Sequence, residues 1–356
     1  MSGGLTANPR KTWRTFAAIA GMGLAASMLA ACGGAASGAS SAGSLTLYSG
    51  QHVQTTQALV AAFEKATGIS VNVRNDDEDT LADQIVAEGS HSPADVIYTE
   101  DSPALEFLQG KGDLAKVNSS TLAKTPSQYD SPAGDWVAVS ARVSVLIYNP
   151  SLISESALPK TVLQMADSKY AGKIAIAPQE IDFQPIVTAV LKAYGQSATM
   201  NWLAGIKRNA GDHVYPDNET IADEVNRGQA AFGIVNQYYW YRMRAEIGAS
   251  RVPSKIAYFA AKDPGYEVNV SGAGIIKSTK HMAAAQKFLA FLASPAAQQI
   301  IGDPSKSISF EYPIDSGVTS QAGETPFSQL TPYPMTVGDL GTGATAISLM
   351  RSAGLL

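Results

Sequence analysis

Cysteine is almost absent: Cys32 is the only one in 356 residues, so the chain can form no internal disulfide. Histidine is nearly as scarce, at four residues. His91, His213 and His281 show no metal-ligand spacing and read as surface residues, and no Ser-His-Asp or Cys-His catalytic set is suggested. Basic residues are outnumbered, 26 Lys and Arg against 31 Asp and Glu, which excludes a phosphate-binding surface and with it nucleic acid as partner. Beyond residue 31 no apolar run approaches the length of a membrane-spanning helix, so the body is not embedded in a bilayer. The stretch Gly341-Thr342-Gly343-Ala344 has no room around it for the βαβ unit that a dinucleotide loop requires.

What the N-terminus does hold is an address. Arg10, Lys11 and Arg14 form a positive region, residues 16–29 an apolar one, and Leu29-Ala30-Ala31-Cys32 resembles the bacterial lipobox, in which the cysteine is acylated. Residues 1–31 are therefore expected to be a lipoprotein signal peptide, with residues 32–43, rich in Gly, Ala and Ser, as a flexible tether. Loss of the leader removes three basic residues and no acid, leaving 23 against 31 and a surface compatible with a cationic ligand.

About 310 residues remain, enough for two domains of ordinary size. From residue 44 short apolar runs alternate with amphipathic segments: strands at 45–48, 69–73 and 95–98, helices at 53–67, 80–87 and 103–109. That alternation gives a parallel sheet. Residues 136–149 form a β-rich run longer than an ordinary strand, and 266–277 a second one, so the chain is read as crossing between two lobes and returning. Between them a strand at 174–177, helices at 186–194, 198–204 and 219–226, and a strand at 230–235 are expected. After the return come helices at 282–293 and 295–301, then an irregular wrap with one helix near 344–351. The assignment is an α/β fold of two lobes around a central cleft, with lobe 1 at 44–140 plus 270–306 and lobe 2 at 141–269 plus 307–356.

Four polar side chains fall at strand ends. His52 follows the first strand, Glu100 the third, and Tyr238 and Tyr239 stand where the 230–235 strand gives way to a helix. Open α/β sheets bind ligands at their carboxyl edges, so these side chains are expected at one edge. Adjacent phenols are as readily core aromatics as ligands, and a free phenol stays protonated up to about pH 10. A strong Lewis acid can displace that proton, and a helix N-terminus favours the resulting charge.

The segments Tyr48-Ser49-Gly50-Gln51-His52, Pro93-Ala94-Asp95-Val96-Ile97-Tyr98-Thr99-Glu100 and Asn236-Gln237-Tyr238-Tyr239-Trp240-Tyr241 resemble those of the bacterial ferric-ion-binding proteins. These are solute-binding subunits of ABC importers with a two-lobed (type II) periplasmic-binding-protein fold. The resemblance runs from about residue 44 through residue 313 and takes in Val270-Ser271-Gly272-Ala273-Gly274 and residues 288–294.

The resemblance implies that His52 and Glu100 bind Fe³⁺ from one lobe and Tyr238 and Tyr239 from the other, with an exogenous anion or water completing the shell. One carboxylate and two phenolates would neutralise Fe³⁺. Where such proteins usually hold the anion with a small Ser-Gly-Ala-like loop, this chain has Gln179-Glu180-Ile181-Asp182, and Asp101 stands where Gln is common. Asn218 and Asn236 match polar positions used for the anion. With Asp101, Glu180 and Asp182 beside it, the site is expected to be acidic and to need no synergistic phosphate.

The implied protein is a monomer, exported and anchored through acylated Cys32 to the lipid bilayer at the outer face of the cytoplasmic membrane, or periplasmic. It would deliver iron to an ABC permease and its ATPase. A receptor of the same fold for a ferric chelate or small organic solute is the alternative, and it would need cationic residues in the cleft. A metal-dependent hydrolase or oxidase would need an open coordination site beside a positioned acid or base, and no such group accompanies the set.

Overall fold

The computed structural model describes residues 43–356; the leader, Cys32 and the tether as far as residue 42 lie outside the described residues. Three βα units come first: β1 (Ser44–Ser49), α1 (Val53–Thr67), β2 (Ser70–Asn75), α2 (Glu78–Glu88), β3 (Val96–Thr99) and α3 (Pro103–Lys111). Helix α1 has the expected bounds. It buries Leu59, Val60 and Phe63 along one stripe and stops at Gly68, whose φ of 70° takes the left-handed turn that a side chain would disfavour. Helix α2 starts two residues earlier than its apolar pattern indicates, because Glu78, its first residue, is turned inward.

A two-residue strand β4 (Leu114–Ala115) and a single turn α4 (Ser119–Leu122) lead to β5 (Trp136–Tyr148), whose thirteen residues are all buried. Then follow β6 (Ile174–Ala175), α5 (Phe183–Ala210), α6 (Asn218–Asn226), β7 (Phe232–Asn236), α7 (Gln237–Ile247) and β8 (Lys255–Ala257). The helices expected at 186–194 and 198–204 are the two halves of α5, abutting at Gly195, where φ 77° and ψ 172° break the helical path. Helix α6 is capped by Asp217, whose side chain accepts the N–H of Thr220. The chain returns through β9 (Val268–Ile276) to α8 (Met282–Leu292), α9 (Pro295–Ile301) and α10 (Pro304–Ser307). It ends with β10 (Tyr312–Pro313), α11 (Val337–Leu340) and α12 (Ala344–Ser352). Among the described residues no helix is long and apolar enough to cross a membrane.

The strand order is β2-β1-β3-β9-β5-β7-β6, with β4 added to β9 and both β8 and β10 to β5. Strands β1, β2 and β3 are parallel, whereas β9 runs antiparallel to both β3 and β5. Strand β5 changes partners along its length. Residues 136–143 pair with β9, and from Ser144 onward the strand pairs with β7 and β8.

This change fixes where the site must lie. The carboxyl end of β3, Thr99, sits opposite Gly272, which pairs with Ala138, while the end of β7, Asn236, sits opposite Ser144. The ends of β3 and β7 thus converge on residues 138–144 of β5, where a register shift between Ala138 and Ser140 re-aims the side chains. One apolar core holds Leu47, Phe63, Val96 and Phe288; the other runs through the junction, from Leu81 and Leu105 by way of Ala141 and Val143 to Trp202, Phe232 and Tyr238.

Candidate metal centre

His52 caps α1 at the end of the β1 turn. Its orientation is set by Gln51, whose amide nitrogen faces both oxygens of Glu311 at 3.4 Å. A carboxylate only accepts, so the Gln51 oxygen is left facing His52 Nδ1, at 2.6 Å. An amide oxygen also only accepts. Nδ1 therefore carries the proton, and Nε2 presents its lone pair, 3.7 Å from Glu100 Oε1. Burial lowers the His52 pKa, which favours the neutral, ligating form.

From the β7 side, Tyr238 and Tyr239 occupy the first turn of α7, their ring centroids 4.2 Å apart. The Tyr238 hydroxyl lies 2.7 Å from Glu100 Oε1 and 3.3 Å from Asp182 Oδ2, and that of Tyr239 lies 3.2 Å from Glu180 Oε1. The His52 ring meets Tyr238 edge-on at 5.4 Å. All four residues singled out at strand ends therefore converge, two from each side of the junction.

The residues assigned to an anion or to support lie close by. Asp182 accepts from Asn218 Nδ2 at 2.8 Å and shares a small space with Asn218 and Asn236. Asp101 pairs with Arg142, and its second oxygen is buried with no partner among the described residues. Glu100 borders a cavity of about 490 Å³ together with His52, Asp77 and Arg242; Asp101 and Glu180 border another of about 420 Å³.

A bacterial extracellular solute-binding protein model matches residues 49–299. The "Fe(3+)-binding periplasmic protein" of Serratia marcescens is 35% identical over 333 residues, covering 94% of this chain and 96% of its own. The chain belongs to the bacterial ferric-iron-binding family of solute-binding proteins. Among solved structures, iron-bound HitA from Pseudomonas aeruginosa is 40% identical with a TM-score of 0.82, covering 87% of this chain and 99% of its own. The Trichodesmium protein in complex with iron and citrate is 31% identical with a TM-score of 0.78, covering the same shares. These are binding proteins and not enzymes, so the hydrolase and oxidase readings fall away.

In this ferric-iron-binding family member, sequence reasoning missed the cation at the centre. Arg142 of β5 is 1% exposed. It pairs with Asp101 and Glu311, donates to the backbone carbonyl of Glu100, and lies 3.7 Å from the Glu100 carboxylate. A second cation, Arg242, stacks over Tyr238 at 5.1 Å and Tyr239 at 5.6 Å. Neither cation was anticipated, and Arg142 is already paired with two acids. Glu311 was missed as well. One of its oxygens lies within 4.8 Å of donor atoms on His52 and Glu100. Its carboxylate is also engaged by Arg142, Ser140 and Gln51.

Burial dominates the electrostatics. It opposes ionisation of Glu100, but His52, Arg142 and the Tyr238 hydroxyl outweigh it and bring that pKa below the ordinary value. Burial, then Asp182 and Glu100, push both phenols well above their usual pKa, so only a strong Lewis acid would ionise them. Burial and carboxylate neighbours raise Glu180 to about 8 and Asp182 to about 7; burial first also raises Glu267 to about 8 and Glu324 to about 7.

An unfolded chain releases these four protons near pH 4. Between about pH 4 and 8 the folded, metal-free chain therefore binds more protons than the unfolded one, and its stability falls as pH rises. The melting temperature of metal-free protein is expected to be higher at about pH 5 than at about pH 8.5. A melting temperature that rises across this interval would contradict the assignment of protons to these buried acids.

Proposed function

We propose that this chain is an exported, lipid-anchored receptor that captures Fe³⁺ and delivers it to an ABC permease. The observation that carries this reading is the convergence of His52, Glu100, Tyr238 and Tyr239, with Tyr238 2.7 Å from Glu100 and His52 Nε2 3.7 Å from the same oxygen. These donors are the proposed ligands. Hard oxygen donors with a single imidazole suit ferric iron, and one carboxylate with two phenolates balances its charge. The Fe(3+)-binding periplasmic protein of Serratia marcescens and iron-bound HitA of Pseudomonas aeruginosa support the same cargo.

Residues 44–140 with 270–306, and 141–269 with 307–356, would be the two lobes, closing on the metal about β5 and β9. Acylated Cys32 would hold this monomer at the outer face of the membrane, and retention of the full chain in the membrane fraction tests that anchor.

Glu180 and Asp182, hydrogen-bonded to the two phenols, would stand in for the exogenous anion, as ligands or as hydrogen-bond partners. A competition titration against nitrilotriacetate is expected to give one iron per chain, with the same midpoint in phosphate and in phosphate-free buffer. A large gain with phosphate would overturn the internal-carboxylate part of the reading.

A ferric chelate is the second reading, favoured by Arg242 on the wall of the 490 Å³ cavity beside His52 and Glu100, and by the Trichodesmium structure with iron and citrate. A citrate arm in the same titration separates the two.

A further inference from the structure

Glu100 stands on the turn between β3 and α3, and a donor on a turn is placed loosely unless something holds it. Glu78 holds it. As the first residue of α2, Glu78 would ordinarily face solvent at its own helix N-terminus, yet it is only 3% exposed. Its Oε2 accepts the backbone N–H of Glu100 at 2.6 Å and that of Asp101 at 3.0 Å. From the other side Arg142 donates to the Glu100 carbonyl. The peptide group joining residues 100 and 101 is therefore held at its N–H by Glu78 and at its carbonyl by Arg142.

The same residue also meets the turn that carries His52. Gly50 packs so tightly on α2 that a Cβ there would lie 2.5 Å from Glu78 Cβ and 2.8 Å from Glu78 Cα. Only glycine permits that approach. Gly50 in turn donates to the carbonyl of Tyr98 at 2.8 Å, which ties the His52 turn back to β3.

We propose that Glu78 is a positioning residue for metal capture: it sets the spacing between the His52 and Glu100 turns and aims Glu100 at the metal without becoming a ligand. This rests on the ferric reading above. Glu78 is not among the His, Asp and Glu donors that meet at the site, which are His52, Glu100 and Glu311. Its contribution is preorganisation, since a ligand arm already ordered need not be ordered on binding. Loss of such outer-shell partners typically costs about 10–100-fold in metal affinity.

The test uses two readouts on the parent chain, Glu78→Gln and Glu78→Ala. The first is hydrogen exchange at the Glu100 and Asp101 amides of metal-free protein; the second is the affinity and visible absorption maximum of the iron complex. The Gln side-chain oxygen can still accept both N–H groups, so Glu78→Gln should keep slow exchange and the parent spectrum. Glu78→Ala should exchange at least about tenfold faster at those two amides, bind iron at least about tenfold more weakly and shift the band. Should the alanine variant not fold, Glu78→Asp, one methylene too short to reach, carries the same expectation.

Unchanged exchange and iron affinity in Glu78→Ala, with normal iron binding by the parent, would overturn this inference alone. Glu78→Gln losing as much as Glu78→Ala would also overturn it, because charge and not positioning would then be the cause. A parent that takes up no iron would overturn the ferric reading and this inference with it.

Discussion

Replacing Tyr238 and Tyr239 together with phenylalanine is expected to lower iron affinity by about four orders of magnitude while leaving the chain folded. Four-ligand structural metal sites gain on the order of 10–16 kcal/mol. One ligand then carries roughly 3 kcal/mol, about a hundredfold, and two carry the square of that. Both rings are buried against one another and keep that packing as phenylalanine. The lost hydroxyls leave Glu100 and Glu180 without a side-chain donor, at about 1–3 kcal/mol per unsatisfied buried group, and Asp182 with Asn218 alone; the raised pKa of Asp182 and Glu180 lets them answer by keeping their protons. Competition against a chelator, beside a thermal melt of the metal-free variant, separates lost binding from lost fold. A double variant within tenfold of the parent would mean that the phenols are core aromatics and nothing more.

Arg142 should be as costly to remove, through stability. Its guanidinium is buried between Asp101 and Glu311, and burial of the whole group is compensated chiefly by those two acids, with Glu100 as a further neighbour. Arg142→Met leaves them facing each other without a cation, and breaking a buried pair from one side costs about 3–5 kcal/mol. Adding Asp101→Asn and Glu311→Gln removes the stranded charges, so the triple variant is expected to recover most of that loss in denaturant unfolding. Equal stability of parent and single variant would show that the network is not what holds the junction of β3, β5 and β10 together.

These two sites differ in how far they could be read from the chain. The ligand arms were legible because each sits where one local pattern ends and another begins: Tyr238 is the second residue of a helix that directly follows a strand of five buried residues, and α1 begins one residue after His52. Sequence order alone delivers such junctions to a sheet edge. Arg142 gave a weaker signal, a lone charge inside a thirteen-residue apolar strand, and it read as part of a hinge. Its partners lie 41 and 169 residues away, at Asp101 and Glu311, and no local periodicity encodes a pairing at that distance. Glu78 was missed for the same reason, since its two backbone partners are 22 and 23 residues on. The apolar stripe of α2 marks Leu81 and Ile85 as inward but says nothing of a carboxylate buried beneath a glycine turn.

The central claim is that phenolate oxygens of this chain bind Fe³⁺, and the visible spectrum tests it most directly. The body from residue 33 onward would be titrated with ferric nitrilotriacetate and its absorbance followed, with the Tyr238→Phe, Tyr239→Phe variant alongside. A blue-green band that saturates at one iron per chain and is absent from the variant is the predicted result. A folded parent chain that develops no such band, or a variant that keeps it, would contradict the assignment of the metal to Tyr238 and Tyr239.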